Sequence, residues 1–138
     1  MLKNFTVIEV TKKIPTPWLI IEPARLRHTR GTVEALEYAP FVHYLVDAKD
    51  KRLAVQVSKE KDKQALRFSK PQEEQKALAV LVQNAELMET IHNLCPDLEA
   101  GGKYRVAGTY SKEDKAVIFD LKKLEPYVRF HKGEEDAG

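Results

Sequence analysis

The chain has 138 residues, 43% of them apolar and 32% charged, with a formal net charge of +2. That length suits one domain, large enough to fold without staples, and so small a net charge excludes a partner demanded by charge alone. A single cysteine, Cys95, excludes an intrachain disulfide and any cysteine-based metal motif, and a reducing cytoplasm is the expected compartment. The first residues lack the apolar run and small-residue cleavage site of a secretory signal. The longest apolar run, ALAVLV at 77–82, is far short of the ~20 residues a membrane span needs.

In chain order, FTVIEV at 5–10 reads as a strand. Residues 11–17 are a loop, because two prolines there remove backbone donors. WLIIE at 18–22 is a second strand, ended by Pro23, and residues 24–27 continue as a short strand. Residues 29–38 predict a short helix capped by Thr29 or Thr32, with Val33 and Leu36 turned to the core and Pro40 closing it. FVHYLV at 41–46 and LAVQV at 53–57 flank the charged stretch DAKDKR, which predicts a hairpin with a four- or five-residue loop. In its first strand Phe41, His43 and Leu45 share one face and Val42, Tyr44 and Val46 the other. Both faces are mostly apolar, so the strand is expected to be covered on both sides.

Residues 58–64 are a charge-dense connection, 65–68 a strand and 69–76 a polar linker. A short apolar strand at 77–82 leads to Asn84, a strong helix cap, with Glu86 in the first turn. Leu87, Met88, Ile91, Leu94 and Cys95 then form one helical stripe, stopped by Pro96. Residues 103–121 predict a second hairpin and 124–130 a last edge strand. Residues 1–131 are expected to form one compact domain, with 132–138 a disordered tail.

The two halves share a plan. Each has a strand, a helix and a hairpin with Asp-Lys in its turn, Asp50-Lys51 and Asp114-Lys115. The expected pseudo-repeats span about 18–68 and 77–124. One such unit is too small to close a core. Two units burying their apolar faces on each other predict an α+β fold, a mostly antiparallel β-barrel or sheet with two short helices packed on it.

A strand, a helix of the TVEALEYA kind and a hairpin with a charged turn resemble the swapped-hairpin units of the AbrB and MraZ type. The resemblance covers 18–57 and, more loosely, 78–121. The chain departs from the family at Arg27-His28-Thr29, where a proline precedes the helix, and at Ala39-Pro40-Phe41, where Gly-Asp is usual. The resemblance implies DNA binding through basic residues near the start of the unit.

The residues themselves offer ARLRHTR at 24–30, with Arg25, Arg27 and Arg30 and no acid. Guanidinium groups and helix N-termini both suit phosphate, and Lys49, Lys51 and Arg52 on the hairpin turn could add to them. The alternative is a solvated edge strand whose arginines deter edge pairing. His28, His43, His92 and His131 have no metal spacing, and Cys95 at a helix end reads as a small buried hydrophobe. Trp18, Tyr44, Tyr104, Tyr110, Tyr127 and Phe130 read as core rather than as a stacking platform. No catalytic residue, metal or cofactor is indicated. The leading expectation is a non-enzymatic DNA-binding or regulatory module, and the alternative an interaction or assembly subunit. DNA and self-association are the partners considered, and no membrane.

Overall fold

The computed structural model describes residues 3–8, 15–75 and 79–127. Nine strands, β1 (Trp18–Ile21), β2 (Leu26–His28), β3 (Phe41–Asp47), β4 (Arg52–Val57), β5 (Leu66–Arg67), β6 (Val80–Val82), β7 (Tyr104–Ser111), β8 (Ala116–Asp120) and β9 (Glu125–Pro126), join two helices, α1 (Arg30–Ala35) and α2 (Ala85–Leu94). The strands form one antiparallel sheet in the order β5-β3-β4-β8-β7-β1-β2-β6, with β9 pairing on β7. This is the expected α+β architecture, a curled sheet with two short helices packed on it.

Period-2 alternation builds the interior. Leu19 and Ile21, Leu26 and His28, Leu53 and Val55, Val80 and Val82, and Val117 and Phe119 are buried on one face of their strands. The intervening residues lie on the other face, where Ile20 is buried as well. The helices add Val33, Ala35 and Leu36 from α1 and its end, and Leu87, Met88 and Ile91 from α2, to the same apolar cluster. Rings meet across the curl: His28 on β2 lies 6.0 Å from Tyr44 on β3 and 5.9 Å from Phe119 on β8.

The strand–helix–hairpin units repeat. Central strands β4 and β8 pair so that Ala54 faces Ile118, with Leu53 opposite Phe119 and Val55 opposite Val117. Shifting either strand onto the other by the Asp-Lys alignment reproduces the same set of pairs. The flanking main-chain bonds obey the same two-fold relation: Val57 N donates to Lys115 O at 3.0 Å, and Leu121 N to Lys51 O at 2.8 Å. Lys51 and Lys115 both take left-handed backbone, φ 53° and 51°, so the two turns share geometry as well as residue type. A second two-fold point lies in the β2–β6 ladder, where Arg27 faces Leu81 between the pairs Leu26–Val82 and His28–Val80.

Several expectations need correction. Residues 5–8 are in no strand, and Phe5, Val7 and Ile8 are exposed; residues 9 and 10 lie outside the described set. Thr29 stands at the N-cap of α1 but makes no capping bond. Its hydroxyl accepts from Trp18 N at 3.0 Å and reaches Trp18 O at 3.3 Å instead, because β2 hands directly to the helix and Thr29 is still at the edge of β1. Thr32 does not cap either; it is buried with its hydroxyl unpartnered. Strand β3 is covered only over its first part: Val42 is buried and Phe41, His43 and Tyr44 are half-buried, while Leu45 and Val46, one on each face, are exposed. Asn84 does cap α2, accepting from Leu87 N at 2.9 Å. Of the last edge strand expected at 124–130, Glu125–Pro126 form β9; residues 128–130 and the tail expected at 132–138 lie outside the described residues. No helix among the described residues is long and apolar enough to cross a membrane.

The segment before β1 is pinned to α1. A Cβ built on Gly31 would stand 2.3 Å from the Pro15 carbonyl oxygen and 2.5 Å from that of Thr16, and Gly108 N bonds Pro17 O at 2.7 Å. Both obstructions at Gly31 are main chain, so they cannot rotate away. Gly31→Ala is expected to lower stability by about 1–3 kcal/mol, the range for overpacking, read as a lower urea midpoint; an unchanged midpoint would show that the 15–16 segment is not packed on the helix.

Candidate functional site

The two-fold relation assigns each strand except β9 a counterpart, and one ladder is missing. β1 pairs with β7 through Leu19–Val106 and Ile20–Arg105. β5 pairs with β3 through Leu66–Val42 and Arg67–Phe41. Val42 and Phe41 are the repeat equivalents of Val106 and Arg105, so β5 holds the place in the first hairpin that β1 holds in the second. β1 also zips to β2, through Leu19–His28, Ile20–Arg27 and Ile21–Leu26. The counterpart would be β5 zipped to β6, with Leu66 against Val82, Arg67 against Leu81 and Phe68 against Val80. That ladder is not formed. β5 and β6 are instead the two ends of the sheet, and a cavity of about 400 Å³ lies between them, lined by Leu66, Arg67, Phe68, Leu81, Val82, Gln83 and Asn84.

Chain connectivity explains the asymmetry. Residues 22–25 link β1 to β2 as a tight turn, closed by Glu22 N donating to Arg25 O at 2.9 Å. The link between β5 and β6 runs from 68 to 79, too long to impose a register. The β5 wall is held to the first unit: Phe68 N donates to Pro40 O at 2.8 Å, and Ser69 N and Oγ to Ala39 O at 3.1 and 2.8 Å. The Arg67 guanidinium lies 5.5 Å from the Phe41 ring centre. On the other wall Leu81 is 47% exposed, although it sits in a strand.

Behind Phe68 lies His28, its ring 5.4 Å away edge to face. His28 is wholly buried, with Nε2 2.8 Å from the Tyr44 hydroxyl and Nδ1 without a partner. In either tautomer one ring position is unsatisfied. Burial pushes its pKa down to about 3, so it is a neutral spacer between the units. The same burial pushes the Tyr44 hydroxyl upward.

A polar clasp fixes the approach to β5. Asp62 Oδ2 lies 2.6 Å from His43 Nδ1 and accepts from Ser58 Oγ at 2.6 Å. Gln56 Oε1 lies 2.6 Å from His43 Nε2, while Gln56 Nε2 donates to Asp114 O at 2.8 Å. Acceptors beside both nitrogens favour the protonated imidazole. The Asp62 bond, then the Gln56 bond, raises the His43 pKa above 6.5. The Ser58 bond, with His43 and Gln64 N behind it, lowers Asp62 to about 2. The serine bonds the acid rather than the histidine, so this is a clasp and not a nucleophilic triad.

The arginines expected on phosphate are all ion-paired. Arg25 and Arg27 meet on the buried Glu22, at 2.5 and 3.3 Å, with Lys103 4.0 Å from the same carboxylate. Burial alone would raise Glu22; the Arg25 bond and the Arg27 and Arg25 charges outweigh it, and the net shift is downward. Arg30 pairs with Glu34 one turn along α1. Arg52 pairs with Asp47 at 2.6 Å and lies 3.9 Å from Asp50, on the hairpin tip that also carries Lys49 and Lys51. The four arginines therefore fall into three separate ion-pair groups. Glu22 and Asp62 were not singled out in the sequence, and composition offers no signal for either. Cys95 is buried, as expected, which raises its thiol. Of the aromatics, Trp18 and Tyr127 instead flank the Arg105 guanidinium, at 4.6 and 5.5 Å. Among the described residues no group of three or more potential ligands could hold a metal.

The two histidines bias stability in opposite senses. His28 has its folded pKa depressed, so the unfolded chain takes up its proton first. Stability falls as pH drops from 6.5 towards about 3, by up to ~1.4 kcal/mol per pH unit. His43 has its folded pKa raised, so its contribution is complete below 6.5 and is lost as pH rises through the folded value. Urea unfolding across pH 4–9 is expected to show stability declining on both sides of neutrality. His43→Gln should flatten the alkaline limb alone; an identical alkaline limb in that variant would refute the clasp.

No family model matches the chain, and neither a curated protein nor a solved structure does.

Proposed function

We propose that this chain is a non-catalytic interaction module that takes an extended peptide segment into the open seam between β5 and β6. One observation carries the reading: the repeat equivalent of this seam is a formed ladder, β1 on β2, whereas here two strand edges flank a cavity. Strand edges recognise extended main chain by hydrogen bonding, with side-chain pockets selecting alternate residues. Leu66, Phe68 and Leu81 offer apolar contacts, and Arg67 favours an acidic or polar neighbour. The cavity lies at the small end of the range for ligand sites, which suits a few residues of a strand rather than a large cofactor.

The test is fluorescence anisotropy with a panel of labelled eight-residue peptides of alternating β-branched and polar residues, against proline-containing scrambles. Binding is expected with a Kd on the order of 10 μM, about −7 kcal/mol. It should be lost in Leu81→Asp and kept in Leu45→Asp, which changes another exposed leucine outside the seam. No saturable binding by any panel member, or equal loss in both variants, would refute the seam.

The second reading is DNA binding, as the family resemblance implies. Its support is the hairpin tip. The Leu121 N to Lys51 O bond and the Lys122 Nζ to Asp50 O bond at 2.9 Å draw Lys122 and Lys123 to the end that carries Lys49, Lys51 and Arg52. Asp47, Asp50 and Asp120 share that end and dilute its charge. Gel shifts on mixed-sequence duplex should show retardation at low salt that fades steeply as salt rises. Glu22→Gln, which removes the carboxylate from Arg25 and Arg27, should strengthen binding if those two arginines take part; no retardation at low salt removes this reading.

A further inference from the structure

We infer that the occupant of the seam is residues 5–8 of a second copy of this chain. The inference rests on the seam reading and names its partner. Phe5, Val7 and Ile8 are 74%, 87% and 83% exposed, more than any other large apolar residues described. Their sequence, Phe-Thr-Val-Ile, is aromatic and β-branched throughout, the composition that suits a pleated, half-buried surface. Yet they join no strand. The chain thus carries a strand-forming segment without a sheet and a sheet with an unzipped edge pair.

Both features coexist in a single chain that could pair them internally by reach alone. Nine residues lie between Ile8 and Trp18, ten Cα steps that reach up to about 33–36 Å if extended. The cavity lies beyond β2 and β6, so a strand seated there is three strand spacings of ~4.8 Å from β1. Internal closure is within reach and is not taken. The exit of the segment is fixed: residues 15 and 16 are pressed on Gly31 and Pro17 is bonded to Gly108. Pro15 and Pro17 stiffen the chain at that point. The pairing that remains is between copies. Reciprocal exchange, with segment 5–8 of each copy in the seam of the other, is a closed two-fold arrangement and does not propagate. It adds one strand to each sheet and removes from water both the exposed segment and Leu81.

The experiment is photo-crosslinking in a mixture of isotopically heavy and light full-length protein carrying p-benzoylphenylalanine in place of Phe5. Heavy–light crosslinks from position 5 to residues 66–68 or 81–84 are expected, together with a concentration-dependent dimer in sedimentation equilibrium. Deleting residues 1–10 should abolish the dimer, and a peptide of residues 3–10 should bind the shortened chain. Leu81→Asp should weaken both by about ten- to a hundredfold, the loss expected for one buried leucine contact. Crosslinks to those residues only within one copy would overturn the inference, as would a full-length chain that stays monomeric at all concentrations. If the shortened chain still binds panel peptides while ignoring its own, this inference fails and the seam reading stands; if it binds neither, both fail.

Discussion

The β4–β8 ladder is where the two halves of the chain become one sheet. Each strand belongs to a different hairpin, and the ladder holds because Leu53, Val55, Val117 and Phe119 are all fully buried on its inner face. A slip of β4 by one residue would turn Leu53 and Val55 outward, away from Val117 and Phe119, and bring Arg52 and Gln56 in. The pairing of Ala54 with Ile118 is therefore fixed, and with it the two-fold relation between the units. Everything lateral follows from that register: where β3 and β7 lie, which strands can reach them, and how far the curl proceeds before its ends face each other.

The second two-fold point, in the β2–β6 ladder, shows how loosely the repeat binds residue type once geometry is satisfied. Arg27 and Leu81 occupy equivalent outward positions. Arg27 is drawn to Glu22 across the turn that joins β1 and β2. Leu81 has no such turn beside it and lines a cavity instead. Similarly, Leu26 and His28 answer to two valines, Val80 and Val82, although one of the four is a histidine with a single hydrogen bond. His28 is tolerated because Tyr44 satisfies one nitrogen and three aromatic rings surround the rest. A lone buried histidine held neutral in this way costs less than a charged one and still separates the two units at a defined spacing.

Much of this architecture was legible in the residues. Alternation located the hairpins, Asn84 located the start of α2, and the Asp-Lys pairs aligned two turns that proved to share their left-handed lysines. What alternation could not supply was sheet order. Residues 65–68 follow the first hairpin in sequence, and so read as its end; in the sheet β5 stands as the counterpart of β1. That depends on which sheet edge the returning chain meets, which no local window contains. Residues 5–8 of the strand expected at 5–10 join none for a related reason: composition makes a segment willing to pair, but only a neighbouring edge makes it a strand. The arginines of 24–30 were visible, and their neutralisation was not, because the acid that pairs two of them lies across a turn on β1's end. Whether a charged side chain is available to a ligand is a property of the folded neighbourhood, and the candidate site changed accordingly.

The long link from Phe68 to Val80 has a further consequence. It joins the two walls of the seam at one end, the end where Phe68 would have faced Val80. The cavity lining extends the other way, past Leu66 and Val82 to Gln83 and Asn84. The two walls of the seam are thus tethered to each other by a covalent link of the same chain. In the proposed binding mode, how far they part around a guest is limited by the length of that link.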